Sequence, residues 1–380
     1  MAATQRLDIL HHFAAVPDPR DARFVTHRLG DLLTIALCAM LSGANSFEDM
    51  AAFGRAKQAW LRGLGLTLPG GIPSHDNFRD VFRHLAPGAF QDGFTSWINA
   101  ACARLGFDHV QIDGKALRGS RGVGGTCLCL VSAWVGANSL TLAQMAAQDG
   151  SNEITAIPRL LRLLELNGAL VSIDAAGCQT EIAQAIRDSG ADYLLQVKGN
   201  QPTLQADITA TFEAAIAADF EGFAHDVFLL ESSGHGRQEE RCCVVLYDLS
   251  RLSSRDDWAD LQAIVRVGRF RRVGGGAETY EEAHYISSRR AAAKEFAEAA
   301  RGHWGIENGL HSVLDVVFRE DDCRLKDRTA AENLGMLRRV AASLLRQDQG
   351  KGSVCGKQRR AAWDDDFRRH LLSLLSEVYA

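Results

Sequence analysis

Three carboxylates in this 380-residue chain stand where they can do chemistry. Asp113 closes a run in which Val110 and Ile112 alternate with Gln111 and Asp113, the period of a strand. Asp174 closes a second apolar run, which begins at Ala169. Glu307 lies far downstream, in the run His-Trp-Gly-Ile-Glu-Asn-Gly-Leu-His from His303 to His311. Taken singly, a strand-end aspartate is explained as well by a polar turn. Taken together, three carboxylates suit phosphodiester chemistry, in which two divalent cations about 4 Å apart activate an oxygen nucleophile and stabilise the leaving oxygen. Mg²⁺ favours carboxylate oxygens and keeps several waters, so three such residues and a substrate phosphate can hold the pair, with Mn²⁺ as an accepted substitute. Asp113 would bridge both ions, Asp174 would complete one and Glu307 the other. Cations stand nearby for the phosphates: Lys115 and Arg118 follow Asp113. Lys198 opens the run Lys-Gly-Asn-Gln-Pro, where a strand meets a helix N-terminus with Pro202 in its first turn. Such a turn, which contains Asn200, can bind an anion through backbone N–H groups.

The elements that must position these residues can be read from periodicity. Residues 1–105 read as helical: Arg28–Ser42 is dense in apolar residues, Ser46 caps a helix carrying Phe47, Met50 and Phe53, and Ser74 caps one carrying Phe78, Val81, Phe82 and Leu85. The last of these presents His75, Arg79 and Arg83 on its other face, either a DNA-reading surface or a solvated one. From 106 the texture changes. Strands are expected at Val110–Asp113, Cys127–Val135, Ser139–Ala146, Ala169–Asp174 and Asp192–Val197, with a tight turn at Gly136–Asn138. Helices are expected at Glu153–Leu166, Thr180–Ser189 and Gln201–Ala217. Three strands, helix, strand, helix, strand, helix is the order of the ribonuclease-H-like fold, a mixed sheet with helices on both faces. Residues 222–288 read as a β-rich insertion with strands at Val244–Leu246, Ala263–Val267 and Tyr280–Ile286 and a loop at Gly274–Gly276. Arg269 and Arg271 would share one strand face and could touch a DNA backbone. A continuous helix is expected through Arg301–Phe318. On it His303, Glu307, His311 and Asp315 recur every four residues beside a buried stripe of Ile306, Leu310, Val313, Leu314 and Val317. The tail holds a helix from Thr329 to Arg346, a basic linker Lys351–Arg360 and a short helix to Leu375.

These expectations divide the chain into a helical N-terminal, DNA-binding domain (1–105), the first part of an α/β core (106–221), the β-rich insertion (222–288), the final core helix with Glu307 (289–325) and a basic helical tail (326–380). The net charge of −5 is unevenly placed: residues 1–105 carry +1, residues 324–380 carry +5 and the middle −11. That argues against general polyanion coating and fits an acidic, metal-using centre with separate binding surfaces. Nine cysteines occur without a Cys-x-x-Cys pair, which argues against structural zinc and for reduced thiols. No apolar run reaches membrane-spanning length and no signal peptide is read, so a cytoplasmic protein without a membrane partner is expected, nucleoid-associated when on DNA. Two rivals fit less well. A helix-borne transition-metal site would want His-Glu-x-x-His, whereas His303 and His311 are eight apart. A haloacid-dehalogenase-type phosphatase would want a second Asp two residues after Asp113, where Lys115 stands.

Several longer runs resemble one family. They are Ile112–Ser120 (Ile-Asp-Gly-Lys-Ala-Leu-Arg-Gly-Ser), Ser151–Pro158, Ile173–Gln179, Tyr193–Pro202, His303–His311 and Val313–Asp322, with Phe13–Arg20 and Trp363–Asp366 at the two ends. Together they resemble insertion-sequence transposases of the DDE class, in the H-repeat-associated branch, over nearly the whole chain. The resemblance implies a ribonuclease-H-like catalytic core, Mg²⁺ dependence and a DDE triad on Asp113, Asp174 and Glu307. It implies cleavage of double-stranded DNA at element ends, attack of the freed 3′-OH on target DNA, and a homodimer or larger synaptic assembly. DNA contacts would then fall on Lys115, Arg118, Lys198, Asn200, Arg269, Arg271, His303, Trp304, Asn308 and His311. A nuclease without strand transfer, or a non-catalytic DNA-binding relative, is the alternative. The chain departs from related transposases at His303, where Arg is usual, at Leu314, where Lys is usual, and at Ser312, where the branch pattern has Trp.

Overall fold

The computed structural model describes residues 11–374 except 14, 106, 122–126, 149–152, 235–236, 274–275 and 277. Most of the Gly274–Gly276 loop, the start of the Ser151–Pro158 run and Leu375 therefore lie outside the described residues. The protein is a mixed α/β structure with two compact units, each assembled from separated stretches of chain.

The first unit comprises residues 1–107, 114–152 and 307–380. Its helices are α1 (Leu29–Leu41), α2 (Phe47–Ala56), α3 (Gln58–Gly63), α4 (His75–His84) and α5 (Pro87–Leu105). Two start as their sequences require: Ser46 with Asp49, and Ser74 with Asn77, form reciprocal capping boxes. α1 is buried on nearly every side, which is why its sequence carries no polar stripe. Strand β1 (His109–Leu117) gives its last four residues to this unit, where the strand order is β3-β2-β1. Here β2 is Leu128–Val135 and β3 is Leu140–Ala146, an antiparallel pair with an irregularity at Ala133/Trp134.

The second unit comprises residues 108–113 and 153–306. Strands β4 (Leu170–Ile173) and β5 (Asp192–Val197) run parallel to β1 and to each other, joined by α6 (Glu153–Leu161) and α7 (Thr180–Asp188). After α8 (Pro202–Ala217) come β6 (His225–Gly234), β7 (Arg237–Leu246), β8 (Ala263–Val273) and β9 (Thr279–Ser287), an antiparallel meander. β9 pairs antiparallel with β5, giving the order β1-β4-β5-β9-β8-β7-β6. The sequence reading of 222–288 thus undercounts: β6 is a fourth strand, and β7 and β8 run longer than their apolar cores. Their outer halves are charged residues matched across strands, a pairing no single-strand pattern reveals. α9 (Ala293–His303) buries Ala293, Phe296, Ala299 and Ala300 against Leu170, Leu194, Val245 and Val265.

Three further readings need correction. β1 does not end in a turn at Gly114; it continues to Leu117, and Lys115 and Leu117 are buried within it. The helix expected over Arg301–Phe318 is broken. α9 ends at His303, a π turn spans Glu307–His311, and α10 (Ser312–Val316) follows. In a π turn the hydrogen bonds reach one residue further, so the four-residue spacing does not hold one stripe across it. Gly309 sits in the π turn where a Cβ would lie 2.5 Å from Trp134 Cη2, so the bare backbone makes room for the indole. Finally, the basic segment Lys351–Arg360 is no linker. After α11 (Arg328–Gln347), Ser353 caps α12 (Val354–Trp363), and Asp364 caps α13 (Asp365–Ser373). Lys and Arg are good helix formers, and Lys357 is held by Asp348 at 3.2 Å.

Candidate active site

In the second unit the register Gln111↔Ser172, Ile112↔Ile173 leaves Asp113, midway along β1, and Asp174, the residue after β4, as the next residue beyond the last paired positions. Asp174 opens a short turn, Ala175–Gly177, and accepts from the backbone N–H of Ala176 (3.1 Å) and Gly177 (3.4 Å). Gly177 is required there, because a Cβ would fall 2.3 Å from Ile173 Cγ2. The turn after β5 is stitched to this one. Asn200 Nδ2 donates to the Ala175 carbonyl at 2.7 Å and Gln201 Nε2 to the Cys178 carbonyl at 2.9 Å. Lys198 is exposed at the head of that turn, and Pro202 opens α8. Asp174 and Lys198 thus follow the C-terminal ends of the parallel strands β4 and β5, and Asp113 lies on β1 just past its pairing with β4, at the edge where open α/β sheets hold ligands.

Behind the two aspartates runs a chain of polar groups. Gln111 Nε2 lies 2.7 Å from His109 Nδ1, His109 Nε2 lies 2.8 Å from Ser172 Oγ, and Ser172 Oγ lies 3.0 Å from His303 Nδ1. Burial pushes His109 down to about 4, helped by repulsion from His303 and Arg289, so the ring is neutral near pH 7. Burial also lowers the pKa of His303, opposed by the attraction of Asp174 and by Ser172. Sequence reading missed His109 and Ser172. The available signal was that residues 109, 111 and 113, and residues 172 and 174, share strand faces, which makes polar residues there unusual. Trp304, next along, is well exposed.

Within the meander, Arg269 is held by Glu239 at 2.9 Å and Glu281 at 3.5 Å. Arg266 is paired with Glu282 and Arg272 with Glu278. The strand that reads as strongly basic is therefore largely neutralised by its neighbours, and Arg271 is half-buried beside Arg269 on the same face.

In the first unit, Glu307 is mostly exposed on the π turn and approaches the buried His311 at 3.6 Å; Asn308 is exposed beside it. Lys115 is buried, with its ammonium 2.8 Å from Asp315 and 3.2 Å from Asp321. Asp321 is shared with the exposed Arg118 at 3.4 Å. Arg118, Gly119, Arg319, Asp321, Asp322 and Arg324 line a polar cleft of about 380 Å³. Leu314 is fully buried. Ser312 is exposed at the start of α10. Gly119 is enforced by backbone, since a Cβ would lie 2.0 Å from the Cys323 carbonyl oxygen. Gly119→Ala is expected to push the Arg118–Ser120 turn off the Glu320–Asp322 turn, costing roughly 1–3 kcal/mol as overpacking does. Urea unfolding measures this; an unchanged midpoint would refute the close approach.

The family model described as "Transposase DDE domain" matches residues 109–345, and the model "DDE_Tnp_1-associated" matches residues 10–98. The chain belongs to the DDE transposase family. Its similarity to relatives runs nearly end to end. "Putative transposase YncI" of Escherichia coli O157:H7 is 35% identical over 376 residues, 97% of this chain and 95% of that protein. "H repeat-associated putative transposase YhhI" of Escherichia coli strain K12 is 34% identical over 97% of both chains. Among solved structures, a cryo-EM structure of a piggyBac transposase synaptic complex with hairpin DNA aligns with 97% of this chain and 80% of that one. Its TM-score is 0.42 at 9% identity, which carries no argument for this DDE transposase chain. No helix among the described residues is long and apolar enough to cross a membrane.

Proposed function

We propose that this protein cleaves double-stranded DNA at the ends of a mobile element and joins the freed 3′-OH to target DNA. Asp113, Asp174 and Glu307 are the proposed ligands for divalent cations, Mg²⁺ or Mn²⁺. The observation that carries the reading is the register of β1 and β4, whose last pair is Ile112↔Ile173, so that Asp113 and Asp174 are the next residue on each segment. Family membership supports the chemistry. The donor set fits as well. Asp113, Asp174 and Glu307 supply carboxylate oxygens, and oxygen-rich sets suit Mg²⁺ and Mn²⁺. Bound there, the ions would supply the activation of the attacking oxygen and the stabilisation of the leaving one. The chain's own residues do the rest. The Asp174 turn and the Lys198–Asn200 turn hold each other in place, so Lys198 can meet a phosphate at a fixed distance from the carboxylates. Arg118, on the exposed side of its ion pair with Asp321, is a candidate contact to the DNA backbone. A ribonuclease-H-like core is supported by the strand order β3-β2-β1 with β2 and β3 antiparallel, and by β1, β4 and β5 parallel. Work on two DNA ends calls for at least a homodimer.

The test is a strand-transfer assay with Mg²⁺ on oligonucleotides bearing candidate element ends. Joined products that vanish in Asp113→Ala support the reading. Cleavage without joining would make the protein a nuclease, and binding without metal-dependent cleavage would sink both enzyme readings. Lys198→Ala is expected to slow cleavage about tenfold, the worth of one phosphate contact of 1–2 kcal/mol. An unchanged rate at saturating DNA would remove Lys198 from the site.

A further inference from the structure

The turn that carries Asp174 is held on both sides of its backbone. The Asp174 carboxylate accepts from the N–H of Ala176 at 3.1 Å and of Gly177 at 3.4 Å, and both bonds fall on Oδ1. Oδ2 is thereby the oxygen left for a cation. Each of those N–H groups belongs to a planar peptide whose carbonyl points the opposite way. The Ala176 N–H shares its plane with the Ala175 carbonyl, and the Gly177 N–H with the Ala176 carbonyl. Both carbonyls are taken by side-chain amides. Asn200 Nδ2 donates to the Ala175 oxygen at 2.7 Å, and Gln179 Nε2 donates to the Ala176 oxygen at 3.4 Å. Gln201 Nε2 adds a third such bond, to the Cys178 oxygen at 2.9 Å, and so ties the turn after β5 to the far end of the Asp174 turn.

A carbonyl can only accept, so the amide nitrogens of Asn200 and Gln179 are the atoms that face it. A peptide plane gripped at its oxygen cannot rotate without breaking that bond. The grip on Ala175 therefore fixes the direction of the Ala176 N–H, and with it the pitch of the Asp174 carboxylate. Accepting at the carbonyl also polarises the same peptide and strengthens its N–H as a donor. We propose that Asn200 is a positioning residue for Asp174, acting through the Ala175–Ala176 peptide, and that Gln179 acts likewise, over a longer bond, through the next peptide. Asn200 belongs to the turn after β5, so one strand's turn aims the carboxylate that follows its neighbour, β4. This role rests on the reading of Asp174 as a metal ligand. Outer partners of metal ligands are commonly worth roughly ten- to a hundredfold in metal affinity.

The test is Mn²⁺ titration of the full chain by calorimetry, with no DNA present and thermal melts alongside. Asn200→Ala is expected to weaken Mn²⁺ binding about tenfold. Its melting temperature should stay within a few degrees of native, because Asn200 is exposed. Asn200→His, whose ring Nδ1–H can stand where the amide nitrogen does, is expected to recover most of the affinity. Gln179→Ala is expected to lose less than Asn200→Ala, as its longer bond implies. Equal affinity in native and Asn200→Ala, or a loss that Asn200→His leaves in place, overturns the role of Asn200 while Asp174 remains a ligand. A native protein that binds no Mn²⁺, or native-like binding in Asp174→Asn, overturns the ligand reading itself, and this inference with it.

Discussion

Asp113→Asn, Asp174→Asn and Glu307→Gln are each expected to lower metal-dependent DNA cleavage by roughly a thousandfold or more, with the melting temperature within a few degrees of the native value. The loss follows from removing one anionic ligand from a site whose ions contribute several kcal/mol to the transition state. The fold should tolerate each change for a local reason. The carboxylate of Asp174 accepts from Ala176 and Gly177 N–H, and an Asn Oδ1 can accept the same two bonds. Glu307 is more than half exposed, and a Gln there keeps an oxygen that can face the His311 ring 3.6 Å away. Asp113 is half-buried at a point where a strand backbone is paired independently of its side chain. Circular dichroism melts and filter binding of labelled DNA provide the controls. Native-like cleavage in any one variant would strike that residue from the proposed triad.

Glu320→Ala is expected to cost about 3–5 kcal/mol of stability, the largest effect foreseen away from the proposed site. Glu320 is fully buried with Arg339 at 3.0 Å and Arg338 at 3.9 Å, and both guanidiniums are at most 2% exposed. Arg339 Nε also donates to Ser132 Oγ at 2.9 Å, so the cluster ties the Glu320–Asp322 turn to α11 and β2. Removing the one carboxylate leaves two cations in low dielectric, which is the costly way to break a buried pair. Replacing all three by apolar residues of similar volume should recover much of the loss. Denaturant unfolding of Glu320→Ala beside the triple variant Glu320→Leu, Arg338→Met, Arg339→Met separates the two effects. A loss under 1 kcal/mol in Glu320→Ala would show that water or a neighbour compensates the arginines.

The sequence by itself determined most of the secondary structure and the family. Alternating Val110 and Ile112, the Ser46 and Ser74 caps, and the Gly136–Asn138 turn are local signals, decided by one or two turns of chain, and each appears where it was read. The candidate carboxylates were read at the ends of apolar runs; Asp174 does follow β4, whereas Asp113 lies within β1, which continues to Leu117. What the sequence left open depended on partners far along the chain. Arg269 reads as a free cation until Glu239 and Glu281 are set on the strands beside it. Lys115 reads as a cation beside Asp113, and its ion pairs with Asp315 and Asp321, about two hundred residues away, leave no trace in the local sequence. The even spacing of His303, Glu307, His311 and Asp315 reads as one helix. The π turn that shifts that register comes with the packing of Trp134 on Gly309, a contact made across the fold. The polar chain is the extreme case. Gln111, His109, Ser172 and His303 come from two strands and a helix, and no contact among them exists until β1, β4 and α9 are packed together.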